Sequence, residues 1–271
     1  MEEDDFLDQL MKFIILGLIQ GLTEWLPISS TGHLKIAEKA LSLSLPISFD
    51  VILHLATLAV VILYFRGDIK HILSALIRLD FKTEHGRLIP LIIVGTAPTA
   101  LLGLALNTMA AVIFRSVPTI ALAFIVCGAV LYPSKVGEEG ENSIGYFEAL
   151  VIGVAQGIAI IPGLSRSGLT IATALMLGVR REEAFKFSFL LSIPAVFGAL
   201  ALTLYTGYDK LALLDIGLTE IIAGGVTAFI LGYAALNLLW KAVTHKAFYL
   251  FAFYCWFVGC ALASASLLGL F

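Results

Sequence analysis

Two short polar runs, Pro27-Ile-Ser-Ser-Thr-Gly32 and Pro162-Gly-Leu-Ser-Arg-Ser-Gly168, interrupt apolar stretches of the chain. In the first, Ser29, Ser30 and Thr31 stand just ahead of a helical pattern over residues 32–43. Hydroxyls there cap free backbone N–H groups, and the helix dipole favours an anion. Such an end, Gly32 included, is suited to phosphate. The second run repeats the device with Ser165, Ser167 and Gly168 ahead of a helix over residues 169–177, and it adds Arg166. A guanidinium grips phosphate through two parallel hydrogen bonds. An arginine deep in an apolar region is costly unless paired or hydrated, which makes it a functional residue by default. The plainer alternative is an arginine held by a structural carboxylate.

Glu24 provides such a carboxylate. It lies in an apolar helical turn before the first run, with Gln20 one turn earlier on the same face. The pair could supply oxygen ligands to a hard divalent cation, completed by water and substrate phosphate, or Glu24 could neutralise Arg166; the two roles are compatible. His33 follows Ser30 by three residues, so one helical turn brings its imidazole toward the serine hydroxyl, the arrangement that activates a weak nucleophile. His54 falls inside an apolar stretch without such company and reads as a cross-helix hydrogen-bonding residue. His71, His85 and His245 read as loop residues.

The surroundings of these residues are those of a membrane protein. Of 271 residues, 59% are hydrophobic and 14% charged, and the mean hydropathy is +0.98. Soluble domains carry roughly a quarter charged residues. The net charge of −3 offers no basis for binding nucleic acid. Cys127, Cys255 and Cys260 lie in apolar stretches without metal-site spacing and read as packing residues. The opening Met1-Glu-Glu-Asp-Asp lacks the positive region of a signal peptide, so the first apolar stretch is expected to remain in the mature protein.

A bilayer core needs about twenty apolar helical residues. Residues 47–65, 88–106, 118–133, 185–205, 218–240 and 247–270 read as six spans. Residues 13–43 and 147–177, cut by the polar runs, read as two re-entrant helix pairs. Overlaid without gaps, these regions pair Gly17 with Gly153, Gln20 with Gln156, Gly21 with Gly157, Ser29 with Ser165 and Gly32 with Gly168. Further along, Gly95 and Gly103 pair with Gly224 and Gly232. The expected fold is therefore an all-α integral membrane protein, a single polytopic domain over residues 1–271. It holds two inverted-topology repeats, about 7–133 and 144–271, each a re-entrant pair plus three transmembrane helices. Interrupted segments at matching positions of inverted repeats point to a midplane site.

Arg66, Lys70, Arg78, Lys82, Arg87, Lys135, Arg180, Arg181, Lys186, Lys241 and Lys246 gather on one side. Lys12, Lys35, Lys39, Arg115 and Lys210 gather on the other. The richer side is expected to be cytoplasmic, which leaves both termini and the first loop extracytoplasmic.

The runs Gly17-Leu-Ile-Gln-Gly-Leu-Thr-Glu-Trp-Leu-Pro-Ile-Ser-Ser-Thr-Gly-His33 and Pro162 to Gly168 resemble the two signature motifs of the BacA-type undecaprenyl-diphosphate phosphatases, linked to bacitracin resistance. The resemblance covers nearly the whole chain. It implies hydrolysis of a C55 polyprenyl diphosphate to its monophosphate on the outer face of the plasma membrane, recycling the lipid carrier of cell-wall glycans. It also implies Ser30 as nucleophile, His33 as acid or base, Glu24 as essential carboxylate, Arg166 as phosphate clamp, and a divalent cation, Mg2+ or Ca2+, at Glu24 and Gln20. The family's Glu/Gln-x-x-x-Glu pattern is met in its Gln variant, which weakens a two-carboxylate metal site. Expected partners are the polyprenyl diphosphate and membrane lipids, with room for a homodimer; bacitracin would compete through the substrate and not by binding the protein. A His33 nucleophile and direct attack by water stay open beside Ser30. The rival from another class is a transporter or flippase for an anionic polyprenyl phosphate lipid, since broken helices in inverted repeats also build transporters.

Overall fold

The structure is a computed structural model that describes residues 2–41, 47–113, 116–135, 140–211 and 217–269. It is helical, with eleven α-helices among the described residues. They are α1 (Glu2–Trp25), α2 (Ser30–Ala40), α3 (Ile47–Tyr64), α4 (Arg66–Ile77), α5 (Leu88–Ile113), α6 (Val117–Leu131), α7 (Tyr146–Ile158), α8 (Arg166–Met176), α9 (Arg181–Leu211), α10 (Leu218–Thr244) and α11 (Phe251–Leu267). Five stretches of helix are long and apolar enough to cross a membrane, and a sixth span is reached when α3 and the bent-off α4 count as one. Large apolar side chains such as Leu101 on α5, Leu218 on α10 and Phe257 on α11 lie on the outside. That pattern suits hydrocarbon, not water.

Both polar runs break their helices for local reasons. The residue before a proline is disfavoured in helical conformation, and proline brings no N–H to the helix, so α1 stops at Trp25, short of Pro27. The chain re-enters helix at Ser29, whose hydroxyl accepts from the Gly32 N–H. In the second run Gly163 takes φ +101°, a left-handed turn that suits glycine, and Ser165 caps α8 by accepting from the Gly168 N–H. Both helices thus start earlier than the spacing predicts: Ser30, Thr31, Arg166 and Ser167 belong to the first turns. The capping serine is the last residue outside the helix, and the pattern of apolar residues alone does not locate it.

The two halves pack reciprocally. α1 lies against α10, and α7, its sequence counterpart, lies against α5. A Cβ on Gly17 would fall 2.3 Å from the Gly224 carbonyl oxygen, and one on Gly153 would fall 2.1 Å from that of Gly95. These are the glycines that the internal alignment pairs, and their lack of side chains lets the helix backbones touch. The self-equivalent pairs α6 with α11 and α3 with α9 also pack together. Between the halves sits an aromatic core in which Trp25, Phe65, Phe185 and Phe189 are buried, with Phe189 edge-on to Trp25 at 5.4 Å.

Two expectations change. Residues 66–77, including His71, form helix α4 and not a loop; α4 leaves α3 at an angle of 79°. Cys260 is exposed on the outer surface, while Cys127 and Cys255 are buried. Arg115 and Lys210 have no described side chains.

Candidate active site

The last turn of α1 and the starts of α2 and α8 bring the polar residues of both runs together. Glu24 is the hub. Its Oε2 accepts from Ser30 Oγ at 2.6 Å and from Gln20 Nε2 at 3.2 Å. Its Oε1 accepts from a terminal nitrogen of Arg166 at 2.7 Å. The Arg166 guanidinium also lies over the Trp25 ring, 5.0 Å from its centroid, where a cation meets the negative face of the π-system. A carboxylate removed from water is stable as an ion only when paired and hydrogen-bonded; here three donors from both halves of the chain meet that need. The link between Glu24 and Arg166, anticipated as an alternative, is present alongside everything else at this cluster.

Ser29 and Ser165 hold the two loops to each other. Ser29 Oγ accepts from the Gly163 N–H at 3.1 Å as well as from its own helix. Ser165 Oγ donates to the Leu26 carbonyl at 3.4 Å and lies 3.2 Å from Ser167 Oγ. Thr31 Oγ1 is 3.5 Å from Ser29 Oγ, and Cys255 Sγ donates to the Pro27 carbonyl at 3.4 Å. Gly32 packs under Phe124 and Gly168 under Pro27, where a Cβ would come within 2.7 and 3.1 Å of those rings. The glycines and capping serines therefore fix the helix starts.

His33 does not engage Ser30. Its Nδ1 lies 2.8 Å from the Ser29 carbonyl oxygen and its Nε2 lies 2.8 Å from the Tyr254 hydroxyl. A carbonyl can only accept, so Nδ1 is the donor, and in the neutral ring Nε2 accepts from Tyr254. The imidazole is stacked on Tyr254 and edge-on to Phe124. Ser30 is the first residue of α2 and its hydroxyl turns back to Glu24, so the serine that spacing assigns to His33 has a carboxylate partner instead.

Two neighbours have no local signal in the sequence. His54, on α3, places Nε2 3.9 Å from Glu24 Oε2 and belongs to the cluster although it had read as isolated. Tyr254, on α11, meets His33 across most of the chain length. An intramembrane histidine is a general hint of function whatever its local pattern; nothing marks Tyr254.

As donors to a cation, Gln20 and Glu24 offer oxygens and one negative charge, and Gln20 Oε1 is buried without a hydrogen-bond partner. Among the described residues no three His, Cys, Asp or Glu side chains gather. The pair fits a hard cation that retains water and phosphate ligands. Gln156, its counterpart, leaves the same oxygen unpartnered with no carboxylate beside it, so the orphan oxygen alone does not identify a metal.

Residues 13–261 match the family model for the bacitracin resistance protein BacA. The chain is 42% identical over 252 residues to an undecaprenyl-diphosphatase of Syntrophotalea carbinolica, covering 91% of this chain and 95% of that protein. It is 39% identical over 264 residues to an undecaprenyl-diphosphatase of Korarchaeum cryptofilum, covering 94% and 99%. A third, from Methanosphaera stadtmanae, is 38% identical over 268 residues, covering 92% and 95%. With both motifs inside the matched region and their polar residues joined in one cluster, this chain is a member of the BacA family of bacitracin resistance proteins.

Proposed function

We propose that this membrane protein is an undecaprenyl-diphosphate phosphatase that hydrolyses the C55 diphosphate to its monophosphate and free phosphate. The observation that carries the reading is the Glu24 carboxylate, which joins the Ser30 hydroxyl of one repeat to the Arg166 guanidinium of the other. A nucleophile, a base and an anion clamp then form one unit. The two repeats, about 7–133 and 144–271, have inverted topology in this reading, which the reciprocal packing of α1 on α10 and α7 on α5 supports.

The diphosphate head enters between the loops and draws Arg166 from Glu24 onto its phosphate oxygens, while the prenyl tail stays in lipid. Ser30 Oγ attacks the terminal phosphorus and its proton passes to Glu24. The Ser30 Oγ–P bond forms, the bridging P–O bond breaks, and the polyprenyl monophosphate departs with the bond's electrons. Glu24 hands the serine proton to the departing monophosphate and is a carboxylate again. Water then attacks the phosphoserine and gives Glu24 a proton, the Ser30 Oγ–P bond breaks, and Glu24 returns that proton to Ser30 Oγ as phosphate leaves. The Arg166 guanidinium and the free first-turn N–H groups of α2 and α8 stabilise the charge on the transferred group. His33, fixed by the Ser29 carbonyl and Tyr254, manages protons at the edge of the site. Gln20 Oε1 and Glu24 would hold a divalent cation, Mg2+ or Ca2+, which supplies Lewis-acid neutralisation of phosphate charge.

The reaction takes place on the outer face of the plasma membrane, with the basic side cytoplasmic and both termini outside. Bacitracin competes by sequestering the substrate. A homodimer is compatible with this arrangement. The transporter reading loses weight because Glu24 and Ser30 have no counterparts in the second repeat, where Ile160 and Arg166 stand.

Phosphate release from undecaprenyl diphosphate by the purified protein, beside folded Ser30→Ala and Arg166→Ala variants, tests the assignment. Activity in the parent that both variants lose supports a phosphatase built across the repeats. An inactive parent that still binds the lipid through Arg166 would favour transport.

A further inference from the structure

The apolar helix α3 ends at Tyr64, and α4 leaves it at 79°. Turned that far, α4 does not carry the α3 axis onward but presents its length sideways to it. Phe65 fixes the turn: it is buried in the aromatic core and stacks on Phe189. One side of α4 faces the protein through the buried Ala75. Another leaves Leu73 exposed and Ile77 83% exposed, too much apolar surface for a helix end in water and an ordinary amount for one resting on acyl chains.

Along the same helix Arg66, Lys70, Ser74 and Arg78 recur at every fourth position and, with Leu73 and Ile77, line a groove of about 560 Å³ between α4 and the end of α3. The only acid on α4, Asp68, is already held by Lys186 of α9 and by His85. None of the three groove cations makes an ion pair among the described residues. The groove therefore combines a line of positive charge and a hydroxyl with an apolar floor.

We propose that this groove is a binding site for an anionic phospholipid, its phosphate on Arg66, Lys70 and Arg78 and an acyl chain along Leu73 and Ile77. Charge complementarity selects the occupant: a zwitterionic lipid presents a cation beside its phosphate and gains little from three uncompensated basic side chains, whereas an anionic headgroup is attracted by each of them. The site lies outside the cluster around Glu24 and does not depend on hydrolysis.

Delipidated full-length protein in detergent, titrated with phosphatidylglycerol or phosphatidylcholine and read by native mass spectrometry, tests the site. The parent is expected to retain phosphatidylglycerol in clear preference to phosphatidylcholine. The triple variant Arg66→Gln, Lys70→Gln, Arg78→Gln is expected to lose that retention at least tenfold, and Arg66→Lys with Arg78→Lys to keep most of it. Phosphate release in the same detergent should stay at the parental level in every variant, which also shows that they are folded. Equal retention of the two lipids, or unchanged retention in the triple variant, would overturn the proposal. So would a dimer of the parent that is lost in the triple variant, since a second copy would then be the occupant.

Discussion

Where the first loop carries Glu24, Ser30 and His33, the gapless register of the repeats places Ile160, Arg166 and Leu169 in the second. The scaffold around those positions is shared. Ser29 and Ser165 both cap the helix that follows and both reach across to the opposite loop. Even the difference in that reach has a local cause. Gly163 has an N–H to give to Ser29, whereas Pro27 at the matching place has none, so Ser165 becomes the donor and takes the Leu26 carbonyl. The two loops share the parts that hold the helix starts together and differ in their charged groups, with Glu24 and Ser30 in one and Arg166 in the other. Neither loop alone contains the whole cluster around Glu24.

The contrast is tested most sharply by Glu24→Gln, which keeps the shape and removes the charge that joins the two loops. Phosphate release should fall by at least a thousandfold, because Ser30 loses its base and Arg166 its partner. Adding Ile160→Glu to that variant should restore nothing, since Ile160 is an exposed side chain whereas Ser30 is buried; recovery of activity would mean that the loops are interchangeable. Arg166→Lys keeps the charge but gives up the planar fork, and kcat/KM for undecaprenyl diphosphate should drop by roughly 10- to 100-fold. Gly17→Ala and Gly153→Ala probe the shared scaffold. Each should lower the melting temperature of the purified protein by a similar amount, corresponding to about 1–3 kcal/mol of overpacking. A large effect from one and none from the other would break the equivalence of the halves. The smallest change is expected from Tyr254→Phe, which removes one hydrogen bond to His33 and should slow turnover a few-fold at unchanged stability.

Much of the fold was legible because membrane helices declare themselves by length and apolar content, and because a proline or glycine followed by serines marks a break and a cap. The cluster was legible as a set of residues, Glu24, Ser30, Arg166 and Gln20, but not in its pairing. Spacing of three puts His33 near Ser30 on one helix, yet it cannot show that the chain before that helix folds back and offers Ser30 a carboxylate at shorter range. His54 and Tyr254 reach the site from α3 and α11, and no local pattern encodes such contacts. Helix α4 is not predicted as part of the membrane domain because a short helix with charged or polar residues at every fourth position and apolar residues between them does not resemble a span. Its lipid-facing side becomes recognisable only with the bend at Phe65.

The bond between Glu24 and Arg166 also bears on how a catalytic cycle ends. With no anion bound, the guanidinium already has a counter-charge, so any ligand has to displace a carboxylate covalently tethered within reach. A diphosphate brings more charge and more oxygens to that exchange than either product does. Under the proposed mechanism, the internal carboxylate would reclaim its arginine as free phosphate and the polyprenyl monophosphate separate. The resting contact would then favour product expulsion and disfavour single phosphates as ligands.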